Sequence, residues 1–270
     1  MTPSDDQLDR LVAEVLASPK YRAISPELVR AVGARELVAR RSLREAVKET
    51  RGRLHQVAGA FLDRQPRYGR WLAELERAAD EPAALRAVCV DIMSCHASTR
   101  ERLPELERFY AAVFAALPAP ASVLDAACGL NPLAAPWMPL APGAAYYACD
   151  LYADLCAFVA AALPALGLAG EAAVCDLAAA APPWRADVAL VLKTLPVLEH
   201  VRRGAGRELL RGLRAPRLVV SFPTRSLGGR NVGMAATYRG QMAELAAAEG
   251  WPYQTLEFAG EVVFLVEKGG

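Results

Sequence analysis

Three acids and a lysine stand where short apolar runs stop. Asp125 lies within Ser122-Val-Leu-Asp-Ala-Ala-Cys-Gly-Leu-Asn-Pro132, Asp150 follows Ala-Tyr-Tyr-Ala-Cys, Asp176 follows Ala-Ala-Val-Cys, and Lys193 follows Val-Ala-Leu-Val-Leu. Each run reads as a buried strand and each polar residue as its end. Ligands of open α/β sheets sit beyond the carboxyl ends of the strands, so these four residues fall where chemistry is done. The loop after Asp125 has one glycine where a G-x-G-x-x-G dinucleotide fingerprint needs three. The pattern suits S-adenosyl-L-methionine better: Ala127 and Gly129 for a turn around the methionine part, Asp150 for the ribose hydroxyls, Asp176 with Leu177 for the adenine edge and face. A strand-end Asp is also an ordinary cap or turn residue, and sequence alone leaves both readings open.

A second polar cluster, His96-Ala-Ser-Thr-Arg-Glu-Arg102, follows the apolar run 88–93. Arg102 carries a fork that matches the carboxylate of a methionine part, while Thr99 with Arg102 reads equally as the cap and start of a helix. Lys193-Thr-Leu-Pro-Val-Leu-Glu199 places one of only four lysines (Lys20, Lys48, Lys193, Lys268) at the rim, within reach of a substrate base or phosphate. The six cysteines, at 89, 95, 128, 149, 156 and 175, show no C-x-x-C spacing, so neither a zinc site nor a redox pair is expected. Most sit in apolar runs, where cysteine acts as a small hydrophobe.

These residues need a frame. From 122 onward, strands are expected at 122–126, 145–150, 172–176, 186–193, 217–222, 253–258 and 261–267, with helices near 151–166, 203–213 and 235–249. Such alternation predicts an α/β fold, a Rossmann-like parallel sheet covered on both faces. Only Ala259-Gly260 separates the last two strands, which must therefore pair as an antiparallel hairpin. The preceding part reads as all-helical: a start at Ser25-Pro26-Glu27, a longer helix over 42–62, and helices over 68–79, 82–94 and 99–117. Pro118-Ala-Pro120 marks a boundary, giving a helical domain over 1–117 and a cofactor-binding domain over 118–270.

Charge separates the two halves. Residues 20–70 carry thirteen Lys or Arg against five acids, a local balance of +8 in a chain of net charge +1. Within the helix over 42–62, Leu43, Val47, Thr50, Leu54, Val57 and Phe61 share one side. Arg40, Arg44, Lys48 and Arg51 form a ridge displaced from it. A basic ridge is either a solvated face or a grip on a polyanion, and the local excess of arginine keeps the second reading alive. No uninterrupted apolar stretch reaches membrane-spanning length and no basic-then-apolar leader opens the chain, so a cytoplasmic protein is expected.

Taken together, His96 to Arg102, Asp125-Ala-Ala-Cys-Gly-Leu-Asn-Pro132, Leu192-Lys-Thr-Leu-Pro-Val-Leu-Glu199 and Ser221-Phe-Pro-Thr-Arg-Ser-Leu-Gly-Gly-Arg230 resemble the aminoglycoside-resistance 16S rRNA (guanine-N7) methyltransferases of the actinomycete producer type. The resemblance covers nearly the whole chain. It implies a class I methyltransferase fold, S-adenosyl-L-methionine as methyl donor, and N7 of a guanine in the decoding A site of the 30S subunit as acceptor. It also implies that the helical part engages the subunit, and the basic ridge of Arg40, Arg44, Lys48 and Arg51 is where that contact is expected.

By the same likeness, His96, Ala97, Ser98, Thr99, Arg100, Glu101, Arg102, Ala127, Gly129, Asp150, Asp176, Leu177, Leu192 and Val201 line the cofactor site. Lys193, Glu199 and Arg230 face the target base. His200-Val201 stands where a glutamine is expected, and an aromatic is missing near Ala58. Guanine N7 offers an in-plane lone pair and no proton, so in-line placement suffices and no general base is expected. Neither Pro-Cys, as a cytosine-C5 enzyme needs, nor Asn-Pro-Pro-Tyr, as an exocyclic-amine methylase favours, occurs. A monomer with no membrane, DNA or metal partner is expected. The rival readings are a small-molecule methyltransferase, with the N-terminal helices as a lid, and a cofactor-free RNA-binding protein.

Overall fold

The run Val-Ala-Leu-Val-Leu is apolar at every position because strand β4 (Val188–Leu192) is buried on both faces. Val188 and Leu190 enter one core while Ala189 and Val191 enter the other. The computed structural model describes residues 3–19, 21–57, 66–115, 117–224 and 234–268. Within it, β4 joins β1 (Ser122–Ala126), β2 (Ala145–Asp150), β3 (Ala169–Val174), β5 (Arg217–Pro223), β6 (Tyr253–Glu257) and β7 (Glu261–Glu267) in one sheet. The strand order is β3-β2-β1-β4-β5-β7-β6. The first five are parallel; β7 runs antiparallel to β5 and to β6, the hairpin expected from the short link.

Among the described residues, helices α1 (Asp5–Leu16), α2 (Pro26–Ala39) and α3 (Leu43–Val57) open the chain. Ser25 caps α2, accepting from Leu28 N, with Pro26 in the first turn. The three helices enclose a small core of their own: Leu11, Val15, Val29, Ala46, Val47 and Leu54. Gly33 permits it, since a Cβ there would come within 2.3 Å of Leu11 Cδ2. The expected inward stripe is real, with Val47, Thr50 and Leu54 buried; Phe61 and Ala58 lie outside the described residues.

Helices α4 (Tyr68–Ala78), α5 (Pro82–Met93) and α7 (Leu106–Ala115) behave differently. Trp71, Leu75, Ile92, Phe109 and Val113 share one hydrophobic cluster with Val123, Tyr146 and Leu190 of the sheet and with α8 (Ala153–Ala162). The expected boundary at 117/118 is therefore no break between cores. Helices α1–α3 enclose their own small core, against which Leu151 and Tyr152 also pack, and the proline-rich link at 118–120 joins elements that share one hydrophobic cluster. The helix expected over 99–117 is also divided, into α6 (Ala97–Arg102), a 3-10 turn at Leu103–Glu105 containing Pro104, and α7. On the other face lie α9 (Leu195–Val201), absent from the sequence reading, α10 (Ala205–Gly212) and α11 (Met234–Glu249). Strand β3 begins three residues earlier than expected and stops before Cys175, because this edge strand of small residues carries little apolar contrast.

Candidate active site

The strand order reverses between β1 and β4, and a cleft opens beyond their carboxyl ends. Its empty volume, counted with the solvent at its open mouth, is about 1140 Å³. Three rim residues hold left-handed backbone: Ala127 (φ 56), Gly129 (φ 51) and Lys193 (φ 57). For Ala127 and Lys193 this conformation costs about 1–3 kcal/mol each, the kind of strain retained at ligand sites. At Gly129 a Cβ would also come within 2.9 Å of the His96 ring, so glycine lets the turn close on α6.

Asp150 holds that turn. Its Oδ2 accepts from Gly129 N at 3.0 Å and its Oδ1 from Leu151 N at 2.7 Å. Burial pushes its carboxyl up, against the pull of those N–H groups. Asp125 is placed differently: it lies inside β1, 1% exposed, accepting from Asn131 Nδ2 at 2.9 Å and Tyr146 OH at 2.7 Å. Burial pushes it up to about 7 in spite of both donors. Asp176, past the end of β3, accepts from Ala178 N at 3.0 Å while bordering the cleft. It is thus both the turn residue and the cleft residue that the sequence left as alternatives.

Of the segment 96–102, His96, Ser98, Thr99 and Arg102 border the cleft; Ala97, Arg100 and Glu101 do not. Thr99 Oγ1 donates to Met93 O at 2.6 Å and so also ties down the start of α6. Burial, helped by the Arg102 and Lys193 charges, pushes the His96 imidazole down to about 4, leaving it neutral near pH 7. The fork expected to meet a methionine carboxylate is closed from within. Arg102 Nε donates to Glu261 Oε1 at 2.6 Å and Nη2 to Glu261 Oε2 at 3.0 Å. A third bond runs from Nη1 to Asn131 Oδ1 at 3.0 Å, and the guanidinium lies over the Phe109 ring. Sequence reasoning missed Glu261 and Asn131; a lone Glu heading the apolar run Val262-Val-Phe-Leu-Val266 was the available clue.

Lys193 turns inward, its Nζ donating to Glu101 Oε2 at 2.7 Å. The Glu199 carboxylate accepts from Gly204 N at 2.9 Å and Gly206 N at 3.1 Å, closing the start of α10. A capping role there explains a Glu ahead of two glycines. Arg230 lies outside the described residues. Cys128 is buried, and burial first, then the nearby Asp150 and Asp125 charges, push its thiol well up, which rules it out as a ready nucleophile.

The walls are apolar: Leu177, Leu192, Leu198 and Val201 on the sheet side, with Leu28, Val32 and Leu54 of α2 and α3 as a roof. Backbone bonds join roof to sheet, Ser25 N to Leu151 O at 3.3 Å and Ala153 N to Ala23 O at 3.0 Å. Arg35 Nη1 reaches Val201 O at 3.2 Å. The four cations expected to form one ridge divide: Arg40 stands in extended backbone after α2, and Arg44, Lys48 and Arg51 lie on α3. Arg40 pairs with Glu36 at 3.0 Å and Glu49 at 3.8 Å, and Arg51 Nη2 donates to Glu14 O at 2.5 Å. Arg44 and Lys48 are exposed, and among the described residues neither enters an ion pair.

A family model described as "Ribosomal RNA methyltransferase (FmrO)" matches residues 17–266. The chain is 45% identical over 269 residues to a 16S rRNA (guanine(1405)-N(7))-methyltransferase of Frankia casuarinae, covering 98% of this chain and 95% of that one. It is 41% identical over 268 residues to the protein of the same name from Micromonospora echinospora, covering 98% of each. Among solved structures it is similar to the 16S rRNA methyltransferase RmtF in complex with S-adenosyl-L-homocysteine, at a TM-score of 0.83 and 35% identity over 99% of this chain and 100% of that one. The 16S rRNA methylase RmtB superposes with a TM-score of 0.79 at 32% identity, over 97% of this chain and 98% of that one.

Proposed function

From the premise that this chain belongs to the FmrO family of ribosomal RNA methyltransferases, we propose that it methylates N7 of guanine 1405 in 16S rRNA, with S-adenosyl-L-methionine as donor. The observation that carries the reading is 45% identity, along nearly the whole chain, to an enzyme named for that reaction. The finer setting is part of the proposal: a monomer acts in the cytoplasm on the assembled 30S subunit and thereby confers aminoglycoside resistance. In keeping with this, no helix among the described residues is long and apolar enough to cross a membrane.

The donor set fits the cofactor. The backbone turn at Ala127 and Gly129 would hold the methionine part, the Asp150 carboxylate the ribose, and Asp176 with Leu177, Leu192 and Val201 the adenine, all of which line the cleft. When bound, S-adenosyl-L-methionine supplies a methyl group on a positively charged sulfur. Guanine N7 carries a lone pair and no proton, so this chain's residues would have to orient the base in line and exclude water, with no side chain taking a proton. A buried neutral His96 and a buried Cys128 thiol are compatible with that economy. N7 lies in the major groove, which A-form RNA closes to side chains, so the target guanine must be exposed or flipped to reach the rim. Lys193 and Arg230 are the residues we place beside it, and Arg44 and Lys48 those we place against rRNA phosphates.

The test is incubation of assembled 30S subunits with labelled S-adenosyl-L-methionine, followed by mapping of the labelled nucleotide, with free rRNA as control. Label at N7 of guanine 1405, on subunits but not on free rRNA, is the expected result; label elsewhere or none overturns the reading. The roof of Leu28, Val32 and Leu54 is the one observation that favours a small-molecule methyltransferase with a helical lid. On that reading excess 30S subunits would leave activity on a small acceptor unchanged.

A further inference from the structure

Antiparallel strand β7 starts where the parallel strands end, so its first residue, Glu261, is delivered to the ligand-binding rim. It is 2% exposed and heads a strand whose next five residues are all buried and apolar. A carboxylate in such a place is retained only when fully paired, and here both oxygens are. Arg102 Nε and Nη2 grip them in a bidentate fork at 2.6 and 3.0 Å. Ser221 Oγ adds a third bond, to Oε2, at 2.8 Å. That same hydroxyl shares the Lys193 N–H, at 3.1 Å, with the main-chain Ser221 O at 3.0 Å, at the residue whose backbone is strained. Arg102 in turn reaches Asn131, which donates to Asp125 beneath the glycine turn.

We infer that Glu261 is a positioning residue for methyl transfer, holding Arg102 on one side of the cleft and, through Ser221, the Lys193 turn on the other. The inference rests on the cofactor reading given above. Three of the five guanidinium N–H groups of Arg102 are spent inside the protein, and the residue still borders the cleft. Glu261 thus fixes the orientation in which Arg102, with its two remaining N–H groups, borders the part of the cleft we assign to the methionine end. The adenosine end, held by Asp150, Asp176 and Leu177, lies outside this network.

That separation supplies the test. Calorimetry on the full chain compares S-adenosylhomocysteine with 5′-methylthioadenosine, which lacks the amino-acid part, each titrated to millimolar concentration. Glu261→Gln keeps the size and removes the charge. It is expected to weaken S-adenosylhomocysteine about tenfold, the scale of one lost charge-assisted bond, with methylthioadenosine affinity held within about twofold. Equal weakening of both ligands, or neither, would make Glu261 a merely structural residue and overturn the inference. Ser221→Ala, a milder cut that leaves the Arg102 fork in place, is expected to lower kcat on 30S subunits severalfold while leaving S-adenosylhomocysteine affinity unchanged. Unchanged kcat overturns the inference even if Glu261→Gln fails to fold. A parent protein that binds neither ligand removes the cofactor reading itself, a failure distinct from any pattern among the variants.

Discussion

Asp150 and Asp125, twenty-five residues apart and both at a strand's carboxyl half, play different parts because their donors differ. Asp150 braces the Gly129 turn with one oxygen and Leu151 N with the other. Asp150→Ala should therefore loosen the turn and remove the partner we propose for the ribose, weakening S-adenosylhomocysteine by about tenfold or more in calorimetry. Asp125 is satisfied entirely from inside, and its carboxyl is pushed from 3.8 to about 7. Between those values the folded chain keeps a proton that the unfolded chain has released. The stability this residue contributes is thus present at acid pH and lost as pH rises through about 7. Asp125→Asn, which cannot ionise, should gain stability relative to the parent as pH climbs from about 4 to about 7. Urea unfolding of both proteins across that range measures it, and parallel profiles would refute the assignment.

Helices α2 and α3 face two ways, and each face makes its own prediction. Leu54 is fully buried in the small helical core and also roofs the cleft. Leu54→Ala should cost about 2–5 kcal/mol in unfolding and weaken S-adenosylhomocysteine as well, a joint loss that a residue remote from the ligand would not produce. On the outer face, Arg44 and Lys48 are the exposed ridge cations without an ion pair among the described residues. Replacing both by Gln should flatten the log–log salt dependence of 30S binding by about 0.7–0.9 per lost phosphate contact. The same change at Arg40 should do less, because Glu36 and Glu49 already neutralise it. An unchanged slope after the double replacement would take α3 out of the RNA interface.

Across the whole molecule, the cleft belongs to two cores at once. Its floor is the sheet and its roof is the α1–α3 unit, joined through Ser25, Ala23 and Arg35. A ligand seated there bridges both, so it should raise the stability of the entire chain. S-adenosylhomocysteine at about a hundred times its Kd should add about 2.7 kcal/mol, a rise of several degrees in Tm for a chain of this size. Thermal unfolding with and without the ligand decides it, and an unmoved Tm would favour a cofactor-free RNA-binding protein.

Most of the strand spans, the acids Asp150 and Asp176, the start of α2 and the inward stripe of α3 were legible in the residues. They depend on period and on local capping, which neighbours in sequence decide. Even the hairpin of β6 and β7 followed from the shortness of its link. The partner of Arg102 did not, since Glu261 lies 159 residues away and meets it only because β7 inserts antiparallel beside β5. Nor did the capping role of Glu199, or the union of α4, α5 and α7 with the sheet rather than with the basic helices. Periodicity tells which side of an element is buried and says nothing of what buries it. That choice is made when layers pack, and here packing turned an arginine fork inward and roofed a cofactor cleft with the helices we assign to the ribosome.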